Sequence, residues 1–366
     1  MNKHMKKIAV IGNNSGGMFD FRHDLIEELI RQGHEITVLT PFDSEVEELK
    51  SIGVELIETP LNRRGINPRE DISLFNLYRK LLKKIQPDLV ITYTIKPNVY
   101  GGFACRILKI PYAVNITGLG TAFQKDGLLR KIVTRMYKVG CKKAKVVFFE
   151  NAENRQIFID EKIVREEQTC LLHGAGVNLD HFHLQDYPVD GTDTRFLFVG
   201  RVMKEKGIDE LFAAMKKLVA DGVPCSLDVL GGYEEDYKST IKQYEAEGWL
   251  RYHGYQSDVR PFIANCHCFV LPSWHEGMAN TNLECAASGR PVITSNIHGC
   301  LEAVEDGVSG YLCERKNADD LYRVMKRFAE LSNTQRRTMG LEGRKRMEDV
   351  FDKKKVVRET IAAMKL

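Results

Sequence analysis

The chain has 366 residues, enough for two domains that each bury an apolar core. Hydrophobic residues make up 43% and charged residues 28%, which is typical of a soluble globular protein and excludes a disordered or fibrous chain. The sequence contains no run of about 18 apolar residues, so we expect no transmembrane helix. The short apolar run at residues 8–11 lacks the length and cleavage site of a signal peptide.

The nine cysteines are odd in number, form no Cys-x-x-Cys pair and lie mostly inside apolar runs. This pattern favours buried free thiols over a disulfide framework or a zinc site. We therefore expect a protein of the reducing cytoplasm with no bound metal.

The net charge of +3 hides an uneven distribution along the chain. Residues 60–149 contain 18 Lys and Arg but only 4 Asp and Glu, a local charge of +14, while the remainder carries −11. This polarity indicates an anionic partner: nucleic acid, the cytoplasmic face of a membrane, or a phosphorylated substrate. An ordinary solvated basic face is the alternative.

In the first half of the chain, short β-branched runs alternate with longer amphipathic stretches. The predicted strands are residues 8–12, 36–40, 54–59, 89–93, 112–116, 146–149 and 170–173. The predicted helices are residues 19–32, 72–86, 99–108 and 128–141. Continuous apolar strands joined by helical crossovers indicate a parallel sheet that is covered on both faces.

The second half repeats this alternation after a polar stretch at residues 183–193. Its predicted strands are residues 196–200, 226–230, 250–253, 268–272, 292–295 and 311–313. Its predicted helices are residues 209–220, 236–247, 282–288 and 318–331. We therefore predict an α/β protein of two Rossmann-like domains, residues 1–182 and 194–351, whose parallel sheets face a central cleft. We expect a C-terminal helix at 352–366 to pack back onto the first domain.

Ligands bind beyond the carboxyl ends of the strands in open parallel sheets, so we look for function in the loops that follow strands. The loop after the first strand of the second domain contains Gly200, Arg201 and Lys206. A glycine lets the backbone approach a ligand, and arginine and lysine bind phosphate oxygens. This loop suits a diphosphate held without a metal, although surface charges around a turn remain the alternative.

A second motif follows the fourth strand of that domain. Glu276 lies in the loop and Glu284 lies eight residues later, on a helix. The first carboxylate can accept hydrogen bonds from sugar hydroxyls, and the second can reach a ribose diol. The amides of residues 277–281 open the helix and can bind phosphate. An exposed glutamate followed by a structural one is the alternative.

The pairing of Gly-Arg-x4-Lys-Gly with Glu-x7-Glu resembles the retaining glycosyltransferases of the GT-B fold in family 4, often called group 1. Further matching segments, in an order and spacing typical of that family, extend the resemblance over nearly the whole chain: residues 12–17, 33–38, 174–182, 289–293, 298–302 and 306–310.

The resemblance implies a UDP-sugar donor whose diphosphate is held by Arg201 and Lys206. It places Glu276 at the donor sugar and Glu284 at the ribose. Further donor contacts are implied for Gly16, Gly17, Gly200, Tyr255, Gly277, Met278, Asn280, Thr281 and Glu302. It also implies that no cofactor and no divalent metal is needed, because basic groups and helix dipoles stabilise the departing diphosphate.

The first domain is expected to bind the acceptor. Lys96 precedes a helix N-terminus that begins at a proline, which is a plausible second anion site. Arg22 lies one turn into the first helix and is expected to point into the same space. With Asn98 and Gly118 these residues form the predicted acceptor site, although each cation is equally consistent with an ordinary surface charge.

Thr117 stands where many relatives of the resembled family have a histidine near the donor sugar. We list Thr117 among the candidate catalytic residues, but a threonine carries no proton at neutral pH, so an acid–base role for this loop is in doubt. The Gly-Leu-Gly segment at 118–120 resembles the subgroup that extends polyprenyl-diphosphate-linked sugars, including bacterial N-acetylgalactosaminyltransferases.

Two basic amphipathic segments, residues 72–86 and 127–145, lie in the strongly basic region. Leucines and aromatic residues alternate there with lysines and arginines, a pattern that suits docking on an anionic lipid surface. Packing of the apolar stripes on the sheet is the alternative. We expect a peripheral protein at the inner face of the cell membrane.

The resemblance implies a retaining, metal-independent glycosyltransferase. We expect it to move a hexose or N-acetylhexosamine from UDP-GalNAc, UDP-GlcNAc or UDP-galactose to a sugar on undecaprenyl diphosphate in bacterial glycan assembly. A non-hydrolysing UDP-GlcNAc 2-epimerase shares the two-domain fold and is the first alternative. A nucleic-acid-binding protein is the second, and we expect no nucleic acid because no recognised module is visible.

Overall fold

A computed structural model describes residues 5–62, 67–120, 123, 127–189 and 193–366. The chain divides into two compact units, which we call unit 1 (Met1–Ala175 with Lys354–Leu366) and unit 2 (Gly176–Lys353). The boundary precedes residue 182, because Val177, Leu179 and Phe182 pack against the core of unit 2. Within the described ranges, no helix combines the length and apolarity needed to cross a membrane.

Unit 1 contains a seven-stranded sheet in which every paired strand is parallel. Its strands are β1 (Lys7–Ile11), β2 (Glu35–Thr40), β3 (Glu55–Glu58), β4 (Leu89–Tyr93), β5 (Tyr112–Ile116), β6 (Val146–Phe149) and β7 (Thr169–Leu171). They lie in the order β3-β2-β1-β4-β5-β6-β7. The chain therefore starts in the middle of the sheet, builds one side and then crosses over to build the other.

Helices cover both faces of this sheet. They are α1 (Ser15–Arg31), α2 (Val46–Ser51), α3 (Pro68–Ile85), α4 (Gly102–Leu108), α5 (Leu128–Cys141), α6 (Ala152–Asp160) and the C-terminal α13 (Lys353–Met364). A π-helical turn, Pro97–Gly101, precedes α4. The apolar faces of α1, α2 and α13 pack on one face of the sheet, and those of α3, α4, α5 and α6 pack on the other.

Unit 2 repeats the design with six parallel strands. They are β8 (Thr194–Val199), β9 (Cys225–Leu230), β10 (Leu250–Gly254), β11 (Cys268–Leu271), β12 (Val292–Ser295) and β13 (Gly310–Cys313), in the order β10-β9-β8-β11-β12-β13. Its helices are α7 (Ile208–Ala220), α8 (Lys238–Ala246), α9 (Arg260–Asn265), α10 (Asn280–Ala287), α11 (Ala318–Ala329) and α12 (Asn333–Arg346). The predicted α/β class with two parallel sheets is confirmed.

The strand order creates one point in each sheet at which the direction of winding reverses. The direction of winding reverses between β1 and β4 in unit 1 and between β8 and β11 in unit 2. Loops that leave the carboxyl ends of such neighbouring strands diverge to opposite faces of the sheet and open a crevice between them. The fold therefore directs attention to the loops after β1, β4, β8 and β11.

A fully buried arginine organises the start of unit 2. The Arg290 guanidinium has no exposed surface, and it donates hydrogen bonds to the carbonyl oxygens of Ile263 (2.8 Å), Ala264 (2.9 Å) and Asp186 (2.7 Å). Its charge also lies over the ring of Tyr187, 5.5 Å from the ring centroid. These contacts fix the segment that leads into β8 against the end of α9.

We expect Arg290→Ala to lower the stability of unit 2 by at least about 3 kcal/mol, because each hydrogen bond from a charged donor contributes about 1.5–3 kcal/mol. Thermal unfolding should shift down by about 6–12 °C. Arg323→Ala is the matched control, since that side chain is 73% exposed and pairs only with Asp320 in the same helix among the described residues. Equal shifts in the two variants would contradict the structural role of Arg290.

Candidate active site

The candidate site of unit 2 depends on a close approach of two loops. Gly207 ends the loop after β8 with a φ of +73°, and a Cβ built there would lie 2.0 Å from the carbonyl oxygen of Pro272, at the end of β11. Any side chain at 207 would collide with this backbone. Trp274 strengthens the junction, because its backbone N–H donates to the carbonyl oxygen of Glu205 at 2.9 Å. The two loops are therefore held in one fixed arrangement.

This junction brings Lys206 and Glu276 together although they lie 70 residues apart in sequence. The Lys206 Nζ lies 2.5 Å from Oε1 of Glu276, and the two side chains are only 20% and 13% exposed. The Ser273 hydroxyl donates a second hydrogen bond to the same oxygen at 2.8 Å. Glu276 is thus fixed by two hydrogen-bond donors. The Lys206 ammonium has further N–H groups that can donate to the oxygen atoms of a ligand.

Arg201 lies directly after Gly200, at the start of the same loop. Its side chain is 56% exposed, and its Nη1 lies 3.5 Å from Oε2 of Glu234. An exposed pair of this kind contributes little stability, typically below about 1 kcal/mol. The Arg201 guanidinium can therefore exchange this carboxylate for phosphate oxygens at small cost.

The start of α10 supplies backbone N–H groups. The N-cap residue Ala279 offers no side-chain acceptor, so the amides of the first turn are not capped by a side chain. The Ala279 N–H itself donates to the carbonyl oxygen of Gly299 at 2.7 Å. Oδ1 of Asn280 is buried and accepts no hydrogen bond from a described residue. Asn280 and Thr281 thus stand at the positive end of a helix dipole, which favours an anion.

The remaining predicted donor residues of unit 2 differ in accessibility. Gly277, Thr281 and Glu284 are half-buried, whereas Tyr255, directly after β10, is 73% exposed. Met278 is buried and belongs to the apolar core, so its side chain has a packing role. A ligand contact at Met278 would have to use the backbone.

Glu302 shapes a third loop, which follows β12. One carboxylate oxygen lies 2.8 Å from Nδ1 of His298, and the other accepts the Gly299 N–H at 2.7 Å. A Cβ at Gly299 would lie 2.6 Å from the carbonyl oxygen of Glu276, so this loop packs directly against the Glu276 loop. The structure therefore gives Glu302 a role in loop geometry, and the donor contact that the resemblance implied stays a prediction.

Sequence reasoning missed two neighbours of Glu276. Ser273 carries a hydroxyl that fixes the carboxylate, as described above, and only its position three residues earlier hints at this contact. His275 is the second: its Nε2 lies 3.6 Å from Oε2 of Glu205. Burial lowers the pKa of His275, while Glu205 and Glu276 oppose the shift. Its imidazole is therefore neutral at pH 7.

In unit 1, a carboxylate of the chain itself already occupies the start of α1. Oδ1 of Asp43 accepts hydrogen bonds from the N–H of Ser15 (2.8 Å) and, at 3.4 Å, of Gly16. Burial opposes ionisation of Asp43, but the hydrogen bonds from Ser15, Gly16 and Ser44 outweigh it and lower the pKa. Gly17 lies beside Asn14, whose Oδ1 would be 2.8 Å from an added Cβ. A phosphate at this helix end would meet a fixed negative charge.

The predicted cations of unit 1 are both paired inside the unit. Arg22 lies 2.9 Å from Glu150, with exposures of 14% and 11%, and its guanidinium stacks over the ring of Tyr93. Lys96 lies 2.9 Å from Asp71, with exposures of 14% and 8%. Their charges are largely neutralised, so the structure does not favour the expected second anion site at Lys96.

The structure contradicts the prediction that the Asn98 side chain binds the acceptor. Its side chain is fully buried, accepts a hydrogen bond from the Thr92 hydroxyl at 2.7 Å and donates to the carbonyl oxygen of Asn115 at 2.7 Å. Asn98 therefore links β4 and β5 to the π-helical turn and has no surface for an acceptor. Thr117 and Gly118 lie half-buried just beyond β5, and their roles at the substrate stay predictions.

Only part of each basic amphipathic segment packs on the sheet of unit 1. In α5, Val133 and Tyr137 are buried, but Leu128, Leu129 and Ile132 are 75%, 45% and 37% exposed. In α3, the buried residues are Asp71, Leu74, Tyr78 and Leu82. Exposed cations accompany these helices: Arg79, Lys80, Lys83, Lys84, Lys131, Arg135, Lys138, Lys142, Lys143 and Lys145. The segment around 121–126, apart from Phe123, lies outside the described residues.

Gly207→Ala should destabilise unit 2 strongly, because the added methyl would clash with the Pro272 backbone and would disfavour the positive φ. The control is Gly222→Ala, a position with φ +72° and nothing within 4 Å of the added Cβ. We expect the control to cost about 1–2 kcal/mol from backbone conformation alone, and Gly207→Ala to cost clearly more. Equal melting temperatures would show that the two loops do not need this approach.

Two family models match the chain. The model described as "Glycosyl transferases group 1" matches residues 181–346, and "Glycosyl transferase 4-like" matches residues 7–151. Both descriptions are of glycosyltransferases, so the epimerase alternative is not favoured.

Curated relatives and a solved structure agree with these matches. The N,N'-diacetylbacillosaminyl-diphospho-undecaprenol alpha-1,3-N-acetylgalactosaminyltransferase of Campylobacter jejuni is 27% identical, over 86% of this chain and 87% of the relative. The UDP-Gal:alpha-D-GlcNAc-diphosphoundecaprenol alpha-1,3-galactosyltransferase of Escherichia coli is 28% identical, over 73% of each chain. The structure of Anabaena HepE in complex with UDP and glucose has a TM-score of 0.80 at 16% identity, over 98% of this chain and 99% of that one. The chain is therefore a glycosyltransferase with a group 1 domain and a glycosyltransferase 4-like domain, and it has the GT-B fold.

Proposed function

We propose that this glycosyltransferase moves a hexose or N-acetylhexosamine from a UDP-sugar to a sugar linked to polyprenyl diphosphate, in the assembly of a bacterial surface or glycoprotein glycan. Both curated relatives above act, by their names, on diphosphoundecaprenol-linked sugars, and one uses a UDP-sugar. The observation that carries the proposal is the Lys206–Glu276 pair, fixed at the carboxyl edge of the unit 2 sheet.

The pair suits a sugar nucleotide because it joins a phosphate-binding cation to a sugar-binding carboxylate. In this proposal Lys206 and Arg201 bind diphosphate oxygens, and the amides at the start of α10 add N–H donors. Glu276 accepts a hydrogen bond from a sugar hydroxyl, and Glu284 accepts from the ribose. The fixed Lys206–Glu276 contact then sets the distance between the diphosphate and the bound sugar.

The reaction breaks the bond between the anomeric carbon and the diphosphate oxygen, and a new bond forms from that carbon to an acceptor hydroxyl. We propose retention of configuration, with the departing diphosphate accepting the proton of the acceptor hydroxyl and UDP as the second product. No side chain acts as a nucleophile. The positive groups are placed where negative charge develops, which is the largest contribution that a site of this kind makes. We propose that they serve in place of a divalent metal.

Lys206→Ala should lower kcat by about 100- to 1000-fold, by analogy with the loss of an oxyanion donor at about 3–4 kcal/mol. Transfer from UDP-GalNAc, UDP-GlcNAc and UDP-galactose to GlcNAc-diphosphoundecaprenol is the measurement. Lys204→Ala is the matched control, because Lys204 is an exposed lysine in the same loop. Normal turnover by a folded Lys206→Ala protein would remove the site assignment.

We further propose that unit 1 docks on the membrane that holds the acceptor. Helices in a parallel α/β unit run antiparallel to the strands, so the starts of α3 and α5 lie at the carboxyl edge of the sheet, where ligands bind. Exposed Leu128, Leu129 and Ile132 lie there next to cations such as Lys131 and Arg135. Apolar side chains among cations suit a lipid surface better than a nucleic acid, since leucine gains free energy by entering acyl chains.

The double variant Leu128→Ser/Leu129→Ser should bind vesicles containing anionic lipid at least tenfold more weakly, because burial of a leucine contributes about 1.5–3 kcal/mol. Co-sedimentation at low and high salt measures this. Val219→Ser/Leu341→Ser is the control, since these side chains are 40% and 42% exposed in unit 2. Vesicle binding that is equal in both double variants would contradict docking through α5.

A further inference from the structure

A second contact joins the loops after β8 and β11, next to the Lys206–Glu276 pair. Nε2 of His275 lies 3.6 Å from Oε2 of Glu205, and the two side chains are 38% and 28% exposed. Each partner in this contact is the sequence neighbour of a partner in the Lys206–Glu276 pair. The imidazole of His275 therefore lies at the edge of the candidate site, where solvent reaches it.

Contacts of the preceding residue fix the place of His275. The Trp274 backbone N–H donates to the carbonyl oxygen of Glu205 at 2.9 Å. The indole N–H of Trp274 donates to Oε1 of Glu210 in the first turn of α7 at 3.1 Å. The Lys316 ammonium, in the loop after β13, lies 4.1 Å from the centroid of the Trp274 ring. The backbone that carries His275 is thus attached to three other segments of unit 2.

The imidazole lies among the charged groups of the candidate site. Burial lowers the pKa of His275, and the carboxylates of Glu205 and Glu276 act in the opposite direction. The cations of Lys206 and Arg201 lower the pKa further. All four charges are therefore close enough to act on the imidazole, and two of them belong to the cations assigned to the diphosphate.

Other charged groups stand on the elements around these loops, and each has a partner in unit 2. Glu210, Arg315 and Lys316 contact Trp274, Glu234 contacts Arg201, and His298 contacts Glu302. Among these groups, His298 is the one whose charge can change near neutral pH. It is therefore the residue from which an effect of His275 must be separated.

A bound diphosphate changes the electrostatics at His275. Both phosphates of a UDP-sugar are esterified, so the ligand carries two negative charges near neutral pH and takes up no proton itself. Negative charge nearby favours the imidazolium, and an imidazolium N–H donates a strong hydrogen bond to a phosphate oxygen. Burial of the imidazole by the ligand would act in the opposite direction. Uptake of a proton on binding therefore reports that the phosphates act on His275.

We propose that binding of a UDP-sugar to unit 2 is coupled to the uptake of one proton by His275, whose imidazolium becomes a third cation at the diphosphate. The inference rests on the proposed function, since it assumes that the diphosphate binds to Arg201 and Lys206. The ligand raises the pKa of His275. The gain in affinity is therefore fully present below the pKa of the free protein, and it is lost as the pH rises through the pKa of the complex.

Titration calorimetry in two buffers of different ionisation enthalpy counts the protons taken up per ligand. UDP-GalNAc, UDP-GlcNAc and UDP-galactose are each titrated into the full chain. We expect the wild-type protein to take up about 0.5–1 proton near pH 6.5, the ordinary pKa of histidine. The dissociation constant should rise by about three- to tenfold from pH 6 to pH 8, because one pKa unit corresponds to a factor of ten in affinity. His275→Gln should bind without proton uptake and with an affinity that does not change over this range.

His183→Gln is the matched control, because His183 is exposed and precedes the amino end of β8, at the opposite edge of the sheet. This variant and His298→Gln should both keep the wild-type proton uptake. Equal uptake in the wild type and in a folded His275→Gln protein, or uptake lost only in His298→Gln, would overturn the inference. Binding by the wild type without proton uptake would overturn it without any variant and would leave the proposed function intact. A wild-type protein that binds none of the three UDP-sugars would instead overturn the proposed function.

Discussion

The candidate site depends on the contact between the Gly207 and Pro272 backbones. Only a residue without a Cβ can stand at 207, and the contact then fixes the loops after β8 and β11 at the point where the strand order of unit 2 reverses. Lys206 is the neighbour of that glycine and Glu276 follows Pro272 by one short loop, so the ion pair is a consequence of the backbone geometry. The Gly299 loop packs on Glu276 from the third strand of the group, β12. Three consecutive strand ends thus build a small rigid frame before any ligand arrives.

The strands could be predicted from the sequence far better than the helices. Each predicted strand corresponds to an observed one, because a buried parallel strand is a compact apolar run with turn residues on both sides. Helix α12 was missed because Asn333–Arg346 has few apolar residues and no stripe, and only Met339, Gly340 and Gly343 are buried. A capping box between Ser332 and Gln335 was the one available local signal for it. Tertiary packing, which periodicity does not report, decides helices of this kind.

The candidate site, like the fold, could be predicted only in part from the sequence. Motif spacing located Arg201, Lys206, Glu276 and the start of α10, since those residues belong to loops that follow strands. It did not show which cations would be neutralised. Arg22 pairs with Glu150, 128 residues away, and Lys96 pairs with Asp71, which lies on α3 before β4. Which carboxylate pairs with a given cation depends on how the crossover connections place the helices over the sheet. That placement cannot be read from the local pattern of a single sequence.

Asp43 gives the two units a different charge at a helix start, although their sheets are wound in the same way. Both units wind their sheets alike, and both present the beginning of a helix at the reversal point. In unit 1 the protein supplies its own carboxylate there, whereas in unit 2 the first turn of α10 has no side-chain cap. The helix starts at the two reversal points, α1 after β1 in unit 1 and α10 after β11 in unit 2, therefore differ in electrical polarity. The phosphates of a nucleotide are therefore repelled by the carboxylate at the start of α1 and attracted by the start of α10. This electrostatic difference favours unit 2 before the base or the sugar makes any contact.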